Sequence, residues 1–348
     1  MLFRTENIGL RSIPLNRRRA FRAACAMLAG FLLAATGTSA APSEAIVPLP
    51  ARVSFDPAKS TIGEKLFNDA RLSNSGQMAC SACHEMDHGG ASSVAISTGA
   101  DGKPLDVRTP SIFNQAFNYL RGWDGLVQTM PDRILSVLHN RRLMNSDPSV
   151  VLPRLKEDRA LNAEMQASYP DGFTEKNVVD ALDVYLNSLI TPNAPFDRYL
   201  RGETGALTAD QVEGYKAFRQ YGCISCHQGE NIGGNLRQTF GVVGTPGEYF
   251  IERGKQLPRD LGRYNLTHNE DDKFVFRVPS LRNVMLRAPY FHDGSAPTIE
   301  DAVRVMFHYQ LGIDPAANDI DLIVKFLGSL TGEAPHRVPV AQQLQKDR

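Results

Sequence analysis

Cysteine is scarce in this chain of 348 residues, with five in all. Cys25 lies in an N-terminal apolar run, and the other four fall into two short motifs, so none is left for a disulfide framework. Neither sign of charge is in excess, with 38 basic residues against 38 acidic ones. Six of the basic and one of the acidic lie in the first forty positions, which leaves a mildly acidic remainder of 32 against 37. That balance excludes the basic footprint of a nucleic-acid binder and suits a basic or neutral protein partner only weakly. Long apolar runs are lacking too. The run from Ala23 to Ala35 is too short to span a bilayer comfortably. Strand-like alternation is scarce, no low-complexity tract or block of like charge stands out, and there is one tryptophan, Trp123.

What is present begins with an export signal. Arg4, Arg11, Arg17, Arg18, Arg19 and Arg22 precede the apolar run, and Thr38-Ser39-Ala40 closes it with small residues. This layout predicts a cleaved signal peptide over 1–40 and a periplasmic protein, with an uncleaved anchor as the alternative. Arg18-Arg19 also fits a twin-arginine signal, but the cofactor chemistry below favours export of an unfolded chain. The mature length suggests two domains rather than one.

Cys80-Ser81-Ala82-Cys83-His84 and Cys223-Ile224-Ser225-Cys226-His227 each fit the c-type haem attachment pattern. Two thiols at this spacing each add to one haem vinyl group, and the adjoining histidine falls beneath the iron as proximal ligand. A structural zinc site or a redox dithiol is the alternative, but neither requires a histidine directly after each pair. Two covalently bound haems are therefore expected. Each motif has helical surroundings. Leu66, Phe67 and Leu72 precede the first with helical spacing, and Thr208-Ala209-Asp210-Gln211 reads as a capping box opening a helix toward the second. Between them, Val178, Ala181, Leu182, Tyr185, Leu186 and Leu189 form one apolar helix face that ends at Thr191-Pro192. The expected fold is mainly α, with two cytochrome c-like haem domains and long connecting loops such as Gly229 to Gly247. The divisions are a flexible segment over 41–56, an N-terminal haem domain over 57–203, a C-terminal haem domain over 204–335 and a tail over 336–348.

From about Ile62 to Leu330 the sequence resembles the bacterial dihaem cytochrome c peroxidase family, which includes the maturation enzyme MauG. The resemblance is carried by Gly63-Glu64-Lys65-Leu66-Phe67, both haem motifs, Thr109-Pro110-Ser111, Gly122-Trp123-Asp124-Gly125 and Asn231-Ile232-Gly233-Gly234. The most specific run is Val278-Pro279-Ser280-Leu281-Arg282-Asn283, leading into Pro289-Tyr290-Phe291-His292-Asp293-Gly294-Ser295. The resemblance implies that hydrogen peroxide meets the haem at His84, while the haem at His227 collects electrons from a small cytochrome c or cupredoxin. It implies that Trp123 couples the two, against the plainer role of a large core residue. Met306, fourteen residues after His292, stands where peroxidases supply methionine and MauG supplies tyrosine. It is expected as the second ligand of that haem, although Ile299, Ala302, Val303, Met306 and Phe307 also form an apolar helix stripe.

Three positions depart from the family pattern. Ala100 replaces a displaceable distal histidine, which implies a five-coordinate haem open to peroxide without prior reduction. Arg133 and Leu143 stand where the family places a glutamine and an acid–base glutamate. Leucine carries no proton, so Arg133 and His139 are the candidate replacements in the distal pocket, each with an ordinary surface role as the alternative. Arg108 replaces an asparagine that holds calcium together with the carbonyls of Arg287 and Pro289, which makes calcium doubtful. The first expectation is a periplasmic peroxidase. The alternatives are MauG-like oxidation of a partner protein's side chains, or a dihaem electron carrier without peroxidase activity. Relatives are often dimeric, so a homodimer is an expected assembly.

Overall fold

The chain is seen here as a computed structural model that describes residues 45–254 and 256–335. The signal segment, Cys25, His336 and the tail lie outside the described residues. Helices dominate, and their starts follow from local chemistry. Helix α1 (Pro57–Phe67) opens on Asp56, whose carboxylate accepts from the Ala58 and Lys59 amides, with proline at the first position. Thr129 caps α2 (Met130–Leu138), and Asp147 and Asp158 cap α3 (Pro148–Lys156) and α4 (Arg159–Ser168). Thr174 caps α5 (Glu175–Ser188), the expected amphipathic helix, and α6 (Pro195–Leu200) follows it. The expected capping box opens α7 (Ala209–Gln220), with Thr208 and Gln211 each bonded to the other's backbone.

Short elements follow: β1 (Arg237–Thr239), α8 (Glu248–Glu252), α9 (Tyr264–Thr267) and β2 (Val275–Arg277). The two strands pair antiparallel with Gln238 opposite Phe276. Helix α10 (Ile299–Val305) runs on into a π-helical turn over Met306–Leu311, and α11 (Ala317–Gly328) ends the fold. Among the described residues no helix is long and apolar enough to cross a membrane.

Two points differ from the reading of the sequence. Leu72 is not on α1, which stops at Phe67. Asp69 caps a separate short turn, Ala70–Leu72, by accepting from the Arg71 amide. The segment expected to be flexible is tied down where it is described. Ile46 and Leu49 are buried, Gly229 donates to Ala45 O, Leu49 N to Asp197 Oδ1, and Arg201 to Leu49 O.

Two apolar cores divide the sequence. One gathers residues from Ile62 to Leu189 and the other gathers Ile46 and residues from Phe196 to Leu330. The changeover falls between Leu189 and Phe196, ahead of the expected division at 203–204. The reason is Phe196, which meets Tyr215 on α7 at 4.7 Å and Phe326 on α11 at 5.0 Å. Each core is built on one close helix crossing. On α1, a Cβ at Gly63 would lie 2.0 Å from the Ala181 carbonyl on α5, and on α7 a Cβ at Gly214 would lie 1.9 Å from the Leu322 carbonyl on α11. Only glycine permits either approach.

The halves repeat beyond these helices. Arg108-Thr109-Pro110-Ser111 corresponds to Arg277-Val278-Pro279-Ser280 and Asn114 to Asn283. Trp123-Asp124-Gly125 corresponds to His292-Asp293-Gly294 and Thr129 to Thr298, all at one constant separation. The correspondence is structural. Asn114 and Asn283 both take a left-handed backbone with φ of 57° and 56°, and both donate to Thr191 Oγ1. The repeats also exchange equal hydrogen bonds. Arg108 N donates to His292 O and Arg277 N donates to Trp123 O, each at 2.7 Å.

Candidate functional site

Both Cys-x-x-Cys-His motifs form a single 3-10 turn, Cys80–Ala82 and Cys223–Ser225, which turns the following histidine back toward its own core. The His84 ring lies 6.3 Å from Phe67 of α1 and the His227 ring 6.5 Å from Phe218 of α7. Each imidazole uses Nδ1 on a backbone carbonyl, Gly90 O at 3.1 Å and Ile232 O at 3.4 Å. Burial holds both histidines neutral, lowered to about 4. A neutral ring fixed through Nδ1 presents the Nε2 lone pair to a metal. All four cysteines are free thiols, and burial pushes Cys80 up to about 12 and Cys223 up to about 11.

His84, Cys80 and Cys83 line a cavity of about 730 Å³. Its far wall is α2, which contributes Arg133, Val137 and Leu138, and Leu143 lies just beyond. Arg133 bears on His84 directly, since its charge helps to lower the imidazole pKa. Burial lowers the guanidinium's own pKa, and Asp124 acts against that shift. Trp123 lines the same cavity, and it also packs against the aromatic cluster of Phe240, Tyr249, Phe250, Phe274 and Phe276. Met306 packs against that same cluster from the start of the π-helical turn. The repeat relates Met306 to Val137, and Ala302 to Arg133.

Not every candidate is in the cavity. His139 is the C-cap of α2 and turns outward, where Nε2 lies 2.6 Å from Glu175 Oε1 and the side chain is 50% exposed. It does not line the cavity, so the expected pairing of Arg133 with His139 over one centre is not found. Ala100 is exposed and outside the cavity lining, its amide donating to Arg142 O at 2.9 Å.

The residues that sequence reasoning missed are arginines. Arg108, Arg121 and Arg277 are buried in the cavity wall, and Arg287 faces His227, whose pKa it helps to lower. Burial lowers Arg277 and Arg287 to about 10, and the Nε atoms of Arg108, Arg121 and Arg287 have no hydrogen-bond partner. Buried cations lacking anions are costly. The two carboxylates of a haem are the missing counter-charge, so the residues present fit the group at both motifs. The available signal was an arginine two residues before each Pro-Ser.

Calcium does not fit. The Ala288 carbonyl, between the two expected ligand carbonyls of Arg287 and Pro289, accepts from Arg108 Nη2 at 3.1 Å and His88 Nε2 at 2.9 Å. Arg108 also donates to Ser92 O at 2.7 Å. A metal cation here would meet a buried guanidinium instead of a ligand.

Comparison with known proteins agrees with this geometry. The family profile described as "Di-haem cytochrome c peroxidase" matches residues 57–205. "Cytochrome c551 peroxidase" of Pseudomonas aeruginosa is 38% identical over 279 residues, covering 79% of this chain and 79% of that protein. "Cytochrome c peroxidase Ccp" of Escherichia coli (strain K12) is 36% identical over 291 residues, covering 83% of this chain, which spans 62% of that relative's length. Among solved structures, a "MauG-like protein associated with microbial copper homeostasis" shares the fold with a TM-score of 0.70 and 22% identity, covering 85% of this chain and 96% of the other.

Proposed function

This chain belongs to the di-haem cytochrome c peroxidase family, an oxidoreductase family, and from that premise we propose that it reduces hydrogen peroxide to water with electrons from a small cytochrome c or cupredoxin. When bound, the haems supply one-electron redox centres, and the one over His84 supplies the iron at which peroxide is split. Each of the two cores carries one such centre, covalently held at Cys80/Cys83 and at Cys223/Cys226, in an exported, periplasmic protein.

The observation that carries the proposal is the unlike filling of two equivalent helix positions. In the first half they hold Arg133 and Val137, and in the second Ala302 and Met306. Val137 has no atom to ligate iron and leaves the far side of the His84 centre open. Arg133 lines the same cavity, bonded through Nη1 to Ser136 Oγ, and its cation would stabilise negative charge that develops there. Among the residues lining the cavity there is no glutamate and no histidine besides His84, the carboxylates being Asp106 and Asp124, and Arg133 would add charge stabilisation where Leu143 cannot carry a proton. In the second half Met306 offers a thioether and Ala302 no charge. With His227, Met306 would hold the second haem, and such a histidine–methionine pair would supply a redox centre of raised potential suited to accepting electrons. Trp123, which reaches both the cavity and the aromatic cluster that receives Met306, couples the two.

Arg133→Ala tests the proposal. Peroxide turnover with a reduced monohaem cytochrome should fall about a hundredfold in kcat/KM, with the absorption spectra of both haems unchanged. Unaltered turnover would remove Arg133 from the chemistry and overturn the proposed role.

A further inference from the structure

The buried pair Asp260–His292 stands where the two repeats meet, and it holds neither haem. His292 is the repeat counterpart of Trp123, and the two rings meet at 6.2 Å between centroids with 71° between planes. The imidazole is 2% exposed, stacked on Phe276 at 4.5 Å and edge-on to Phe250 at 5.1 Å. Its Nε2 donates to Asp260 Oδ1 at 2.9 Å, while the other carboxylate oxygen accepts from Leu257 N at 2.7 Å. Asp293 lies within reach of both groups but is already paired with Arg253 at 2.9 Å. Asp260 therefore places a carboxylate, held by two N–H donors, one ring away from the indole.

The indole has no base of its own. Its Nε1–H donates to Arg108 O at 2.7 Å, and an amide oxygen does not take up a proton at neutral pH. An electron that leaves Trp123 therefore leaves a positive charge in the ring. Arg108, Arg121, Arg133 and Arg277 line the same cavity, where haem carboxylates would answer part of their charge, and of the two aspartates there Asp124 is engaged with Arg133 and Arg277.

We propose that Asp260, held through His292, is a positioning anion that eases loss of an electron from Trp123 during transfer between the two haem centres. The inference rests on the reading of Trp123 as the relay between them. In the step, one electron leaves the indole toward the centre at His84, which peroxide has oxidised, and one arrives from the centre at His227. No bond forms or breaks, and the Nε1 proton stays on the ring.

The test is stopped-flow absorption of haem-loaded, half-reduced protein mixed with hydrogen peroxide, following oxidation of the His227 haem. Asp260→Asn, which keeps an acceptor for Leu257 N but removes the charge, should slow that oxidation about tenfold with both haem spectra and both midpoint potentials unchanged. Asp260→Glu and His292→Gln retain the carboxylate and should stay within about threefold of the parent. Trp123→Phe, run alongside, reads the premise. If it slows the reaction while Asp260→Asn does not, the proposal is wrong and the relay stands. If Trp123→Phe changes nothing, the relay reading fails and takes the proposal with it. Should Asp260→Asn not load haem, Asp260→Glu decides, because a slow rate there with normal spectra would mean shape rather than charge and would overturn the proposal.

Discussion

At the scale of single residues, the two proximal histidines tie stability to pH. Their unfolded pKa is near 6.5 and burial lowers each to about 4, so between those values the unfolded chain binds protons that the folded one does not. This share of stability is complete above pH 6.5, declines as pH falls through the window and is gone below about 4. It amounts to ~3 kcal/mol for each ring at most. The urea midpoint of the haem-free chain should drop between pH 6.5 and 4, and a midpoint flat across that range would show that the rings are not held neutral. Spacing alone singled out Cys80, Cys83, His84, Cys223, Cys226 and His227 as the haem-attachment candidates, because vinyl addition and proximal ligation would dictate it. Arg133 was reachable by counting along the chain from Trp123. His139 was not separable from it that way, since a count cannot say which side chain lines the cavity. The buried arginines were not legible either, because an arginine in a sequence carries no mark of whether its counter-charge is protein, water or cofactor.

At the scale of elements, the two helix crossings set how each core closes. Gly214→Ala would drive a methyl to 1.9 Å from the Leu322 carbonyl, a backbone atom with no room to yield. A loss of about 3 kcal/mol is expected, read as a fall in thermal midpoint of the haem-loaded protein. Gly328→Ala, at the end of α11 with nothing within 4 Å of the added Cβ, should be neutral or gain a few tenths of a kcal/mol. Equal losses in both variants would mean that the crossing is not close. Helices α5 and α7 were legible from apolar spacing and from the Thr208–Gln211 box, because those signals are local. The repeat was harder to see. Its members are short runs such as Arg-x-Pro-Ser, and tryptophan in one half stands for histidine in the other. Only the exchanged bonds of Arg108 and Arg277 show that they answer each other.

At the scale of the whole molecule, one ancestral arrangement used twice has been given two characters. The same repeat position carries Val137 in one half and Met306 in the other, and the neighbouring turn carries Arg133 against Ala302. The proposed division of labour, one half meeting substrate and the other holding an electron, rests on that difference, and Trp123 and His292 are in contact where the halves join. The measurement that tests this division most directly mixes fully oxidised, haem-loaded protein with hydrogen peroxide and a reduced monohaem cytochrome. Donor oxidation that begins without any pre-reduction is the predicted result. Turnover that appears only after one haem has been reduced would contradict it, because the His84 centre would then be closed in the oxidised protein by a ligand this account does not contain.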